Sequence, residues 1–248
     1  MEKFSILITG CEGGIGTKLV EGFKGAGWHV IGVDRAAPSS KADDGVSIKA
    51  DIGAFVTDPG ALTAFAAEVR ESAVDAPLRA IVNNAAVQHV GRLDCLTPAQ
   101  IVETMNVNVI APMLISKTFL PELEANKGMI LNIGSVHASA TKPEFSAYAT
   151  SKSALHGLSQ ALAVDLGPNV RVNTLAPAAV STPMLKAGFE GNREAYKALK
   201  NVHPLQRIAE PQEVADIALF LVSDAASFLT GTTLYADGGI LSRLHDPA

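Results

Sequence analysis

Residues 4–34 read FSILITGCEGGIGTKLVEGFKGAGWHVIGVD. Phe4 to Ile8 is apolar on consecutive positions, the pattern of a strand covered on both faces in a parallel sheet. TGCEGGIG, residues 9–16, follows it and leads into a helical pattern from Thr17 to about Ala26. A second strand is predicted over His29–Val33, with Asp34 at its tip. Strand, glycine loop, helix and strand in that order make the glycines informative. Gly10 permits a tight turn, Gly14 lets the backbone approach a ligand, and Gly16 lets the helix pack closely on its strand. The new helix points its free N–H groups and positive end at an anion. Asp34, eighteen residues after Gly16, is placed to accept hydrogen bonds from an adenosine ribose. Its carboxylate would repel a 2′-phosphate, which favours NAD over NADP, although the adjacent Arg35 softens that repulsion.

The same alternation continues along the chain. A third strand is expected at Val46–Ala50, ending in Asp51, then a helix at Pro59–Val69 and a fourth strand at Leu78–Val82 running into NNAA, residues 83–86. Thr97 caps a long helix with Pro98 in its first turn. That helix, 98–115, is apolar almost all round, which predicts burial on more than one side, by a second subunit as well as the sheet. Asn106 and Asn108 interrupt it and need partners. A fifth strand at Met129–Ile133 leads into a helix beginning near Ser146. Val170–Leu175 is a sixth strand ending at Pro177, Pro211–Val222 a helix and Thr232–Tyr235 a seventh strand. Residues 178–210 have the weakest periodicity and read as a helical flap or substrate loop. Seven strands alternating with helices, without a linker or repeat, predict one doubly wound α/β domain over residues 1–248. Ligands in such sheets bind beyond the carboxyl ends of the strands. Gly10, Asp34, Asp51, Asn83, Ser135 and Pro177 all fall there.

Tyr148 and Lys152 are four apart, so on a helix they share a face. A phenol with an ordinary pKa near ~10 moves protons poorly at neutral pH. A neighbouring ammonium is expected to pull it down. Ser135 is placed to hydrogen-bond the oxygen on which Tyr148 acts.

The bulk properties restrict the classes of function. Of 248 residues, 48% are hydrophobic and only 18% charged, so some surface is expected to be buried between subunits. The net charge of −5 provides no basic stripe for nucleic acid or an acidic membrane. Cys11 and Cys95 have no disulfide or metal-ligand spacing, and no H-E-x-x-H occurs, so no metal site is expected. Met-Glu-Lys runs directly into the first strand without a signal peptide's apolar stretch, and no run reaches the ~18 apolar residues of a membrane span. A cytoplasmic protein is the expectation.

TGCEGGIG at 9–16, NNAA at 83–86, Asn108, Ser135, YATSK at 148–152 and YADGG at 235–239 together resemble the short-chain dehydrogenase/reductase family, in its single-domain form, over nearly the whole chain. The resemblance implies a Rossmann-type seven-stranded parallel sheet with helices on both faces. It also implies hydride transfer between a nicotinamide and the carbinol or carbonyl carbon of a small or medium-sized alcohol or ketone. Tyr148 would be the general acid/base, Lys152 would lower its pKa and hold the nicotinamide ribose, and Ser135 would orient the substrate oxygen. Asn108 would hold a water linking Lys152 to solvent. Gly10, Gly14, Ile15 and Gly16 would cradle the pyrophosphate, Asp34 the adenine ribose, and Asp51 with Ile52 the adenine. Asn83 and Ala85 would line the cofactor, with Pro177, Val180 and Thr182 at the nicotinamide end. Ala86 and Ala178 stand where the family often has glycine, which narrows the pocket without removing a reacting group. Gly13 stands where many NADP-using relatives carry a basic residue, again favouring NAD.

His137, Lys142, Glu144 and Phe145, with Met184, Leu185 and Phe189 of the flap, are expected to face a partly polar substrate such as a sugar acid, hydroxy acid or acyl thioester. Two other classes are weighed against the dehydrogenase. A non-catalytic NAD(H)-binding sensor would need the glycine loop and Asp34 but not the Asn108, Ser135, Tyr148 and Lys152 set. A serine hydrolase is disfavoured because IGSVH lacks the G-x-S-x-G elbow. An epimerase or dehydratase of the family's longer branch is disfavoured by the TGxxxGxG spacing and the lack of an added substrate domain. The outer faces of helix 98–115 and of the Ala-rich helix over Tyr148–Leu166 predict a twofold four-helix interface, in this family usually part of a homotetramer, with a homodimer as the smaller alternative.

Overall fold

The computed structural model describes residues 3–37 and 45–244. Seven strands form one parallel sheet: β1 Ser5–Thr9, β2 His29–Asp34, β3 Gly45–Lys49, β4 Leu78–Asn83, β5 Met129–Ile133, β6 Arg171–Pro177 and β7 Thr233–Ala236. Their spatial order is β3-β2-β1-β4-β5-β6-β7. The chain therefore grows outward in one direction from β1 to β3, then returns to pair β4 on the other side of β1. Between the ends of β1 and β4 the connections leave in opposite directions, which opens the crevice where such sheets take ligands.

Alternation along each strand divides the core. Ile6 and Ile8 of β1 pack with Leu19 and Phe23 of α1 (Gly14–Gly25) and with Val214, Ala218 and Leu221 of a helix near the C-terminus. Leu7 points the other way, into a cluster with Phe55, Phe65, Ile115 and Phe119. Helices thus cover both faces, as expected for consecutive apolar strand residues.

The remaining helices are α2 Pro59–Ser72, α3 Pro98–Met105, α4 Ala111–Thr118, α5 Leu120–Ala125, α6 Ser146–Leu166, α7 Pro183–Ala187, α8 Arg193–Val202 and α9 Pro211–Val222. Strand boundaries fall within two residues of those expected. The first helix starts at Gly14 rather than Thr17, so the last glycines of the loop are already its first turn.

Thr97 and Gln100 form the reciprocal cap of α3: Gln100 N donates to Thr97 Oγ1 at 3.3 Å, and Thr97 N to Gln100 Oε1 at 2.9 Å. The continuous helix expected over 98–115 is interrupted by a π-helical turn at Asn106–Ile110. Pro112 explains it: proline has no N–H to give to the carbonyl four residues back, that of Asn108, and its ring crowds that carbonyl. Val107, Val109 and Ile115 are buried, whereas Val102 and Met113 are exposed by 57% and 44%. The apolar helix thus has one face on the sheet and one in solvent. No helix among the described residues is long and apolar enough to cross a membrane.

Candidate active site

The glycine loop is fixed by the end of β4. Asn84 Nδ2 donates to the carbonyl oxygens of Thr9 and Gly10, each at 3.0 Å, and the N–H groups of Asn84 and Ala85 both donate to Thr9 Oγ1 at 3.0 Å. Gly10 sits at φ +68°, and a Cβ there would lie 2.8 Å from Ala85 Cα. A Cβ on Gly14 would be 2.9 Å from Thr182 Cβ, and one on Gly16 only 1.9 Å from the Gly10 carbonyl oxygen. The three glycines therefore keep the loop low and close to its neighbours. The first turn of α1 has no side-chain cap, so its opening N–H groups have no side-chain competitor for an anion.

Asp34 faces this loop. Its Oδ2 accepts from Glu12 N at 3.1 Å, and Oδ1 accepts from Ala36 N at 3.0 Å. The carboxylate is thereby oriented at the tip of β2 beside the glycine turn. Asp51 accepts from Gly53 N at 2.9 Å and starts a 3-10 turn over Ile52–Val56, with the Ile52 side chain buried beneath it. Pro177 ends β6; Val180 is buried and bridges to Ala209; Thr182 caps α7 by accepting from Leu185 N at 3.2 Å. Residues 178–210, expected as a helical flap, carry α7 and α8. Met184 is 64% exposed on α7.

A buried polar chain sets the position of α6. Asn83 Nδ2 donates to Asn132 Oδ1 at 2.8 Å, Asn132 Nδ2 to Ser159 Oγ at 2.8 Å, and Thr174 Oγ1 to the same Oγ at 2.7 Å. β4, β5 and β6 are thus tied to one turn of the helix. The Asn83 side chain belongs to this network and is buried. Its Oδ1 is buried without a hydrogen-bond partner among the described residues.

At the other end of α6 the sequence-predicted group comes together. Ser135 caps a 3-10 turn, with His137 N donating to its Oγ at 3.2 Å, and its hydroxyl lies near enough to the Tyr148 phenol to favour the phenolate. Phe145 and His137 stack with ring centroids 4.6 Å apart, and each meets the Tyr148 ring edge-on at 6.0 Å. Burial, then the charge of Lys142, pushes the His137 imidazole below its usual range, so it is neutral at pH 7.

Lys152 Nζ is buried, donates to the Ile133 carbonyl at 2.7 Å, and lies 5.7 Å from the Tyr148 ring centroid. Burial pushes the Lys152 ammonium down to about 8. It also pushes the Tyr148 phenol up to about 12, with the Ser135 hydroxyl acting in the opposite direction. Tyr148 thus lies above its ordinary range, not below it as expected from the nearby Lys152. The ammonium is directed at a strand carbonyl, and loss of water around the phenolate outweighs the lowering by the Ser135 hydroxyl. At neutral pH this Tyr148 holds its proton and can give it to an oxygen seated beside Ser135.

Asn108 sits in the π-turn with its side chain fully engaged. Val87 N donates to Oδ1 at 2.8 Å, and Nδ2 donates to Val87 O at 2.9 Å and Ser151 Oγ at 3.0 Å. Its carbonyl is the one that Pro112 cannot serve. A contribution of Asn108 to water binding thus falls to the backbone rather than the amide.

The sequence profile of the family described as Enoyl-(Acyl carrier protein) reductase matches residues 10–241. Galactitol 2-dehydrogenase (L-tagatose-forming) of Cereibacter sphaeroides is 36% identical, covering 94% of this chain and 92% of that protein. The chain is a short-chain dehydrogenase/reductase. Another member at similar distance is Protein FixR of Bradyrhizobium diazoefficiens, 35% identical over 94% of this chain and 85% of its own. The ligand-free aldohexose dehydrogenase of Thermoplasma acidophilum superposes with a TM-score of 0.91 at 30% identity, covering 99% of this chain and 97% of that one. Membership makes this short-chain dehydrogenase/reductase an oxidoreductase of CH–OH and C=O groups that uses a nicotinamide cofactor.

Sequence reading missed two features of the site. In the sequence Asn84 stands only as part of NNAA, yet its amide latches the glycine loop. His156, four residues after Lys152 and eight after Tyr148, lies on the same stripe of α6, and that spacing was the signal available.

Proposed function

We propose that this protein is an NAD-dependent dehydrogenase or ketone reductase acting on a small hydroxylated substrate, of the polyol and sugar kind that the names of two relatives carry. One observation supports the reading most: Ser135 and Lys152 meet Tyr148 at the N-terminal end of α6, after the carboxyl end of β5. The chain is one cofactor-binding domain whose segment 178–210 covers the substrate side.

The uncapped first turn of α1 and the glycine contacts fit a pyrophosphate held by the N–H groups of Gly14, Ile15 and Gly16. Asp34 fits a ribose diol and disfavours a 2′-phosphate, with Gly13 in place of a basic side chain. Asp51, Ile52 and Ala85 line the adenine half; Pro177, Val180 and Thr182 lie toward the nicotinamide half. Bound there, a nicotinamide supplies or takes the hydride. The protein's own part is the proton. Tyr148 gives it to the carbonyl oxygen in reduction and removes it from the hydroxyl in oxidation, and Ser135 orients that oxygen. Lys152 holds the ribose. Asn108, through its carbonyl, holds a water that returns the proton to solvent. His137 and Phe145 form one wall of the substrate site, and Met184 of α7 closes over it. Two exposed helix faces, around Val102 and Met113 on α3–α4 and around Val164 on α6, support a homodimer or homotetramer.

The test follows NADH and NADPH absorbance with galactitol, aldohexoses and hydroxy acids in the presence of NAD or NADP, and with a 3-ketoacyl thioester in the presence of NADH or NADPH. Turnover of a polyol or sugar with NAD is the expected result. NADH binding without turnover across the panel would replace this reading with the cofactor-binding sensor.

A further inference from the structure

We propose that His156 is a positioning residue of the reaction: its Nε2 lone pair receives the backbone N–H of Ser135 and fixes the serine where its hydroxyl meets Tyr148. This inference rests on the proposed roles of Ser135 and Tyr148.

Ser135 N donates to His156 Nε2 at 3.4 Å, from a backbone held extended at φ −165° and ψ 153°. The preceding residue shows how closely the imidazole is seated. A Cβ on Gly134 would fall 2.2 Å from His156 Nε2 and 2.6 Å from Thr174 Cγ2, so position 134 is glycine because the ring occupies that space. Gly134 N in turn donates to the Leu175 carbonyl at 2.7 Å. The turn carrying Ser135 is thus held on one side by β6 and on the other by His156. Tyr148, Lys152 and His156 succeed one another at intervals of four on α6, so one helix face supplies the proton donor, the buried cation and the support of the serine.

The imidazole is suited to this only when neutral. Burial, then the nearby Lys152 charge, pushes it down to about 4. The groups facing it are Lys152 from α6, the Gly134–Ser135 backbone, and Tyr235 of β7, whose ring centroid is 6.4 Å away. At pH 7 Nε2 is therefore an acceptor and the ring proton sits on Nδ1. Tyr235 is itself held by a 2.6 Å hydrogen bond with Ser139 Oγ, so the wall behind the imidazole is braced from the same 3-10 turn that Ser135 begins.

The experiment is a double-mutant cycle between His156→Leu and Ser135→Ala, read as kcat and as the NADH dissociation constant with the panel alcohol that turns over fastest. His156→Leu is expected to lower kcat about tenfold to a hundredfold, with the NADH constant within about twofold. His156→Gln, whose Oε1 can accept, is expected to recover part of the loss. In the Ser135→Ala background His156→Leu should cost nothing more, because its effect passes through that serine. Multiplicative losses, or a fully active His156→Leu, overturn the proposal. If Ser135→Ala itself is fully active, the proposed function of the serine fails instead. A readout without turnover is the imidazole ¹⁵N spectrum: Nε2 unprotonated at pH 7 is expected, and a proton on Nε2 refutes the contact.

Discussion

Gly16→Ala gives the sharpest test of how the glycine loop is built. An alanine Cβ would lie 1.9 Å from the Gly10 carbonyl oxygen, 2.8 Å from Gly10 C and 2.9 Å from Cys11 C. Reaching an ordinary contact of 3.4 Å needs about 1.5 Å of movement, and every atom concerned is backbone. That backbone is pinned: Gly10 N donates to Val33 O at 2.8 Å, and Asn84 Nδ2 donates to Gly10 O at 3.0 Å. Helix propensity alone would favour alanine by about 1 kcal/mol. Forced displacement costs about 1–3 kcal/mol, and losing the Asn84 bond about 1 kcal/mol more. The net is a destabilisation of about 1–3 kcal/mol, or roughly 2–12 °C in Tm for a chain of this size. Gly25→Ala is the control, because its Cβ would meet nothing within 4 Å. Circular dichroism melts paired with NADH fluorescence titrations should show Gly16→Ala losing both Tm and cofactor affinity, while Gly25→Ala keeps both. A Gly16→Ala protein as stable as wild type, with unchanged NADH affinity, would refute the packing argument.

Three further outcomes follow from the site. Asp34→Ser removes the carboxylate from the tip of β2 and is expected to raise NADP use relative to NAD by about tenfold or more, since one charge contact near the surface is worth roughly 1–4 kcal/mol; an unchanged ratio of kcat/KM values would remove Asp34 as the determinant. Asn108→Leu leaves the Val87 N–H and carbonyl without the partners they have at 2.8 and 2.9 Å, and is expected to cost about 1–3 kcal/mol of stability, read by chemical denaturation. For pH dependence, burial raises Tyr148 to about 12, so its acid form is fully present at neutral pH and its base form grows only as pH rises. Alcohol oxidation should accordingly peak at higher pH than ketone reduction, and coincident optima would contradict that assignment.

Local patterns were readable before the structure. Consecutive apolar residues such as Ile6–Ile8 marked strands, Thr97 with Pro98 marked a helix start, and the glycine spacing marked the loop, because each depends on near neighbours in the chain. The π-turn at Asn106–Ile110 was written in Pro112 but masked by the strong apolar pattern around it. The direction of the Tyr148 shift was not legible: it depends on how much water the folded loops exclude, and on Lys152 finding the Ile133 carbonyl nineteen residues away. The spacing of His156 places it on the Tyr148–Lys152 stripe of the helix, but its role was not legible for the same reason. Its meaning comes from contact with Gly134 and Ser135, and one sequence does not show which glycine makes room for which ring.

The central claim is that Tyr148 moves the proton while the glycine loop and Asp34 hold the cofactor. Tyr148→Phe removes only the hydroxyl, and single-turnover hydride transfer beside NADH binding separates the two functions. The account predicts that NADH binds Tyr148→Phe within a few-fold of wild type while hydride transfer falls by about a hundredfold or more. Equal transfer rates in the two proteins would contradict it.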